Sequence, residues 1–363
     1  MLQKPLPQEI VQLSPEETDA RIATARRCLG EELIILGHHY QRDEIIKWAD
    51  FRGDSLLLSQ IAGKHPEAKY FIFCGVHFMA ESADILTRPD QIVILPNMNA
   101  GCSMADMANI GQVERAWEQL GTITDTSRIV PITYVNSTAA IKAFVGRHGG
   151  ASCTSSNARK VVQWALERGD KLFFLPDQHL GRNTCVALGL DPEKEMLLWD
   201  PTKPLGGNSP EDIRAKRVYL WKGHCSVHMR FTVEQIRQAR QEYPNVNVIV
   251  HPECTLDVVQ AADAYGSTEF IIKTIRAAPA GTVWAVGTEI NLVKRLADEM
   301  PDKTIFCLDP IVCPCSTMYR IHPHYLLWAM ESLVRGEVVN RVQVPPEIAK
   351  EARMALDRML SIV

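Results

Sequence analysis

"LIILGHHYQ", residues 33–41, is an aliphatic run of strand length that ends abruptly in His38, His39 and Tyr40. A short apolar run closed by polar residues has the form of a buried parallel strand, and ligands of α/β sheets bind beyond the carboxyl ends of such strands. Two other stretches share the form: "IVPITYVNS" (129–137), with Tyr134 and Asn136, and "VIVHPEC" (248–254), with His251 and Glu253. Each leads into a helix-like run and then a small, hydroxyl-rich turn that reads as a helix start: "GDSLLLSQIAG", "CTSSNARKVVQWA" and "YGSTEFIIKTIRAA". A further strand follows, tipped by "CGVHFMAE", "LPDQHLGRN" or "VGTEINLV". The last strand of each unit finishes in a cysteine turn: "LPNMNAGCSMADM", "LWKGHCSVHMRF" and "CLDPIVCPCSTM".

The spacings support a repeat. His38 to Cys102 and His251 to Cys315 are both 64 residues, and His38 to Ser55 and His251 to Thr268 are both 17. The middle unit runs 91 residues from Tyr134 to Cys225, but it contains "DPEKEMLLWDPTKPLGGNSPEDIR" (191–214), a charged, Pro-rich segment read as a surface insertion. Chance likeness among unrelated strand–helix units is the alternative reading; the matched spacings favour triplication. The expected fold class is α/β, with three small three-layer α/β/α domains related by pseudo-threefold symmetry around a central site. The boundaries are residues 1–19 for an N-terminal segment, then 20–115, 116–235 and 236–363. The third domain carries the amphipathic C-terminal stretches "PHYLLWAMESLVRG" and "EIAKEARMALDRMLSIV".

Composition narrows the function. With 363 residues, 46% hydrophobic and 23% charged, the chain is an ordinary globular one, and its apolar runs fall well short of the roughly 20 residues a membrane helix needs. A net charge of −4 argues against a broad nucleic-acid surface. The N-terminal stretch lacks a basic region followed by an apolar one, so a cytoplasmic location is expected. Ten cysteines are many for that compartment, where thiols persist as core residues, metal ligands or redox groups.

Cys102, Cys225 and Cys315, one per repeat, are the candidate metal ligands. Soft thiolates suit zinc or an iron–sulfur cluster. Structural zinc sites usually show paired CxxC knuckles, which are missing here. Three thiolates around a [4Fe–4S] cluster leave one iron without a protein ligand, available as a Lewis acid. Three unrelated core cysteines remain the competing reading of the spacing. Cys74 and Cys307 lie in apolar strands and Cys28 and Cys185 in helix-like surroundings, where a free thiol packs as a small hydrophobe. Cys153 and Cys254 read as pocket walls. Cys313 reads as a spare ligand, an oxidisable neighbour or a packing residue.

The ordered set "GHHYQ", "GDSL", "GCSMADM", "YVNS", "CTSSNA", "PDQHLGRN", "KGHCSVH", "HPEC", "GST", "GTE" and "CPCSTM" resembles quinolinate synthase, from about residue 30 to about residue 335. The resemblance implies three α/β domains around an oxygen-sensitive [4Fe–4S] cluster held by three cysteines. It also implies condensation of iminoaspartate with dihydroxyacetone phosphate, giving quinolinate, phosphate and two waters. An L-aspartate oxidase would be the partner that supplies iminoaspartate. In the family pattern the last ligand precedes "xxM", matching Cys315 and Met318. Some members carry CxxCxxC there, and this chain, with "CPC", departs from them.

Such a reaction must hold anions and move protons. Helix N-termini at "GDS", "TSS" and "GST", with Ser55, Ser155, Ser267 and Thr268, are the expected carboxylate and phosphate cradles, although plain N-capping is the commoner use of such residues. His38 and His251, at equivalent strand ends and each with a second ionisable group two residues on, are expected to take part in catalysis and substrate binding, as proton-transfer groups or as neutral donors to a carboxylate. Glu253, a carboxylate whose pKa desolvation in a closed site would raise, is expected to be the general acid/base, with Tyr40 donating to or relaying from a substrate oxygen. Tyr134 and Asn136 are expected to bind hydroxyl or phosphate oxygens. His39, His77, His179, His228 and Glu289 lie near these loops and receive no role. Another open-iron hydro-lyase, a non-catalytic iron–sulfur sensor and a structural zinc protein are the competing functions.

Overall fold

The computed structural model describes residues 3–311 and 313–362. Three sheets carry the chain, each covered by helices, in an α/β architecture. The first contains β1 (Leu33–His38), β2 (Phe51–Gly53), β3 (Tyr70–Cys74) and β4 (Ile92–Ile94). The second contains β5 (Ile129–Tyr134), β6 (Ala151–Cys153), β7 (Lys171–Leu175), β8 (Met196–Trp199) and β9 (Val218–Trp221). The third contains β10 (Asn247–Val250), β11 (Ala264–Tyr265), β12 (Val283–Gly287) and β13 (Thr304–Cys307), and β14 (Arg341–Val342) returns to the first.

The sheets run β14-β4-β3-β1-β2, β6-β5-β7-β9-β8 and β11-β10-β12-β13. Without β8 and β14 the same connectivity recurs: the second strand pairs with the outer side of the first, and the third and fourth follow on its inner side. All these pairs are parallel. β1, β5 and β10 are buried on both faces, which is why they read as unbroken apolar runs rather than alternating ones.

The segment 191–214 is more than a surface insertion. It contributes β8, which pairs with β9 from Met196 to Trp199 against Val218 to Trp221. Trp199 is fully buried beside Phe173, with ring centroids 6.4 Å apart. Gly206 adopts φ +63° close over the Trp199 indole, where a Cβ would fall 2.5 Å from a ring carbon. Burial of this one aromatic ties the polar segment to the sheet.

The chain resolves into two compact units. One comprises Met1–Cys102, Ile290–Leu292 and Cys313–Pro345; the other comprises Ser103–Glu289, Val293–Val312 and Pro346–Val363. The C-terminal helices, assigned from sequence to the third domain, find their partners elsewhere. Helix Pro323–Val334 packs on helix Pro15–Leu29, fastened by two hydrogen bonds of 2.7 and 2.6 Å from Arg21 to Glu331. Helix Pro346–Ser361 packs on helix Ala139–Arg147. Amphipathicity fixes which face a helix buries, not the element that receives it.

The second of these contacts depends on Gly146. A Cβ there would lie 2.0 Å from the carbonyl oxygen of Glu351, and Arg358 seals the contact by donating to the carbonyls of Gly146 and Gly150 at 2.9 and 2.6 Å. Gly146→Ala gains about 1 kcal/mol of helix propensity but must push two backbones apart. The clash wins. A net loss of about 2 kcal/mol is expected, read as a fall of several degrees in the thermal unfolding midpoint; an unchanged midpoint would refute the close-packing account.

No helix among the described residues is long and apolar enough to cross a membrane.

Candidate active site

In the first unit, the end of β1 holds His38 buried, with its Nδ1 accepting from the Tyr40 backbone N–H at 3.1 Å and its ring 4.9 Å from that of Tyr40. The next residue, Gln41, is also buried and donates to the carbonyl of Met318 at 3.2 Å. Asn97 donates to the carbonyl of Arg320 at 3.1 Å. The 3-10 helix Met318–Arg320, three residues past Cys315, is thereby tied to the strand ends of the first sheet.

The two later cysteine turns have the same build. Cys225 and Cys315 each lie in irregular chain three residues before a 3-10 helix, His228–Arg230 or Met318–Arg320. In each turn the cysteine carbonyl accepts from the residue four on, Met229 at 3.1 Å and Tyr319 at 2.9 Å. Cys313 is exposed and has no counterpart in the Cys225 turn. Cys102 sits just before helix Ser103–Asp106. Cys102, Cys225 and Cys315 are all partly exposed, as is Cys307, whereas Cys74, Cys153, Cys185 and Cys254 are buried; the packing reading holds for Cys74 and Cys185 but not for Cys28, which is exposed. Burial pushes the Cys185 thiol up to about 12 and that of Cys307, at the end of β13, up to about 11, both unsuited to giving a thiolate.

In the second unit, residues from two sheets come together around Glu253. His228 Nδ1 lies 2.8 Å from Glu253 Oε2, and His251 Nδ1 lies 3.8 Å from Oε1. The two imidazoles stack with centroids 4.5 Å apart. Tyr134, at the end of β5, hydrogen-bonds to the same carboxylate. Thr288 Oγ1, beyond β12, meets His228 Nε2 at 3.2 Å. The Tyr134 turn is itself braced: Ser137 donates to the Tyr134 carbonyl at 2.8 Å, and the fully buried Lys142 donates to the Ser137 carbonyl at 2.5 Å.

The electrostatics sort two buried carboxyls in opposite directions. Burial works against the Glu253 carboxylate, but the neighbouring His228 and His251 and the hydrogen bonds from His228 and Tyr134 outweigh it and hold the group down to about 2. Asp177, just beyond β7, is pushed well above the ordinary carboxylate range by burial and by the Glu253 charge. Glu253 is thus an ionised acceptor rather than the carboxyl raised by desolvation that its setting in the sequence suggested, and Asp177 is shifted toward its protonated form. Burial also pushes His251 down to about 3, so its ring is neutral at physiological pH.

One ligand atom each from Cys225, His228 and Glu253 lie within 4.8 Å of one another. His228 Nδ1 faces Glu253 Oε2 at 2.8 Å and its Nε2 meets Thr288 Oγ1 at 3.2 Å, so both ring nitrogens have a polar neighbour. Cys225 is the group of this trio best suited to an exogenous soft metal.

The expected anion cradles divide. At "GDS" the cap is Asp54, whose carboxylate accepts from Leu57 N at 2.9 Å, and Ser55 is the first helical residue, buried. Ser267 is an ordinary N-cap that accepts from Phe270 N at 3.2 Å, with Thr268 buried behind it. Ser155 lies in the turn before helix Ala158–Leu166. Asn136 is half-buried in the Tyr134 turn, with its Oδ1 buried and unpaired, as a group awaiting a ligand or water would be.

His228, given no role from the sequence, is the residue that the structure adds to this cluster. The available signal was its spacing: three residues past Cys225 in a one-turn helix, on the tail that carries a candidate ligand.

Residues 20–361 match the family model for NadA, quinolinate synthetase A protein. The chain belongs to this family. It is similar over nearly its whole length to proteins named quinolinate synthase: 58% identical to that of Corynebacterium glutamicum, over 99% of this chain and 91% of the relative. The protein of that name from Herpetosiphon aurantiacus is 59% identical, over 96% and 94%, and that of Bacillus anthracis 53% identical, over 99% and 96%. Membership of the NadA family fits a chain whose motifs run in the family's order from "GHHYQ" to "CPCSTM".

Proposed function

We propose that this chain is a quinolinate synthase that condenses iminoaspartate with dihydroxyacetone phosphate to quinolinate, releasing phosphate and two waters. Cys102, Cys225 and Cys315 are its [4Fe–4S] ligands. The observation that carries this is the meeting of Cys225, His228 and Glu253 within 4.8 Å, which sets a thiol beside a buried proton-transfer group in a NadA-family chain. Partial exposure of the three thiols and the shared turn at Cys225 and Cys315 support the ligand choice. When bound, the cluster supplies Lewis acidity toward a substrate oxygen through its iron without a protein ligand.

The chain's own residues do the rest. Glu253, ionised and aligned by His228 and Tyr134, takes the carbon-bound proton that interconverts ketose and aldose forms of the triose. His251, neutral, stacks on His228 and offers a donor or acceptor nitrogen to a substrate oxygen. Tyr134 and Asn136 bind hydroxyl or phosphate oxygens. His38, Tyr40, Ser55, Ser155, Ser267 and Thr268 bind the anionic groups. Burial of Glu253 and both imidazoles keeps bulk water from an imine that it would hydrolyse. The enzyme works in the cytoplasm on iminoaspartate supplied by an aspartate-oxidising partner.

The test is anaerobic incubation of the purified protein with freshly generated iminoaspartate and dihydroxyacetone phosphate. Quinolinate is expected, with phosphate in equal amount; release of water from an unrelated hydroxy acid with no quinolinate would favour another open-iron hydro-lyase. Cys313→Ala is expected to keep the iron and sulfide content of the parent. Loss of the cluster in that variant would overturn the choice of Cys315 over Cys313.

A further inference from the structure

The segment that carries Glu253 is a turn, His251–Cys254, anchored at its start by His251 N donating to the Gly287 carbonyl at 3.0 Å and closed by Cys254 N donating to the His251 carbonyl at 3.0 Å. Pro252 has no N–H, and the backbone N–H of Glu253 points back to His251 Nδ1 at 3.4 Å. Buried carbonyls in such a turn need donors from elsewhere. Both carbonyls that flank Glu253 have the same one: Asn183 Nδ2 donates to the Pro252 oxygen at 2.8 Å and to the Cys254 oxygen at 2.8 Å. Asn183 is 2% exposed. Two carbonyl oxygens only accept, so the amide NH2 must face them, and its two hydrogens serve one acceptor each. Asn183 rides on helix Gln178–Ala187, whose N-terminus is fixed by Asp177 accepting from His179 N at 2.7 Å and Leu180 N at 3.0 Å. One amide thus links a helix that starts at the tip of β7 to the turn that follows β10.

We propose that Asn183 is a positioning residue for the proton transfer at Glu253: by bridging the carbonyls on either side, it holds the carboxylate where His228 and Tyr134 meet it. The inference rests on the reading of Glu253 given above. A positioning residue acts on the rate more than on substrate affinity, because a displacement of about 1 Å at a proton-transfer group costs on the order of 100-fold.

The experiment compares Asn183→Leu, Glu253→Gln and the double variant, all prepared without oxygen and matched for iron, sulfide and unfolding midpoint. N183L is expected to lower kcat about 30- to 100-fold with both KM values changed less than about threefold. In the E253Q background it should change the residual rate less than about threefold, since a residue that acts only through Glu253 has nothing left to position. Should N183L be recovered unfolded, Asn183→Ser, which keeps one donor, is read in its place with a loss of about fivefold. A kcat within threefold of the parent in the variant read, beside a slow E253Q, would overturn this inference alone. So would a further loss in the E253Q background equal to that in the parent. Parent-like turnover by E253Q would overturn the Glu253 reading itself.

Discussion

Glu253→Gln is expected to lower kcat by about 10²- to 10⁴-fold while leaving fold, iron and sulfide content and KM close to those of the parent. The substitution keeps the shape of the side chain and its ability to accept from Tyr134, but removes the charge that His228 faces at 2.8 Å. At a fully buried position that charge is supported by the hydrogen bonds it accepts from His228 and Tyr134. An amide there takes no proton. The uncharged variant also leaves His228 its contact with Thr288. Steady-state rates on samples of equal cluster content check this, and a kcat within a few-fold of the parent would remove Glu253 from the chemistry.

The second large effect is expected at the thiols. Cys225→Ala should give a folded protein without stable iron or sulfide and with no measurable quinolinate formation. Cys225 sits in an irregular turn, partly exposed, so truncating it opens no core cavity and costs little stability. The proposed cluster, by contrast, would lose one of its three protein ligands. The same result is expected at Cys102 and Cys315. At Cys74 or Cys153, fully buried with thiols pushed far up by desolvation, alanine should instead lower the unfolding midpoint and spare the cluster. Iron and sulfide retained in Cys225→Ala would contradict the ligand assignment.

The central strands were legible because strands buried on both faces cannot alternate: β1, β5, β7 and β10 stand out as aliphatic or aromatic runs. β2, β6 and β11, two or three residues each, are too short to carry a period and became visible only through their pairing with β1, β5 and β10. β8 was hidden inside a charged, Pro-rich segment, and its pairing with β9 and the burial of Met196, Leu197 and Trp199 reveal it. The buried cluster around Glu253 was legible where it sits on strand ends, at Tyr134, His251 and Glu253. His228 and Asn183 were not, because a 3-10 turn and a mid-helix amide have no sequence signature beyond ordinary turn and helix composition; what distinguishes them is the tertiary neighbour each one meets. Ser55 shows the converse. Its hydroxyl-rich turn reads as a serine cap, yet Asp54 does the capping.

The most direct measurement is iron, acid-labile sulfide and quinolinate turnover determined on one oxygen-free preparation, before and after the cluster is stripped by chelation. About four iron and four sulfide per chain are predicted, with turnover falling in proportion to the sulfide lost. Full turnover from protein that holds no inorganic sulfide would contradict the account.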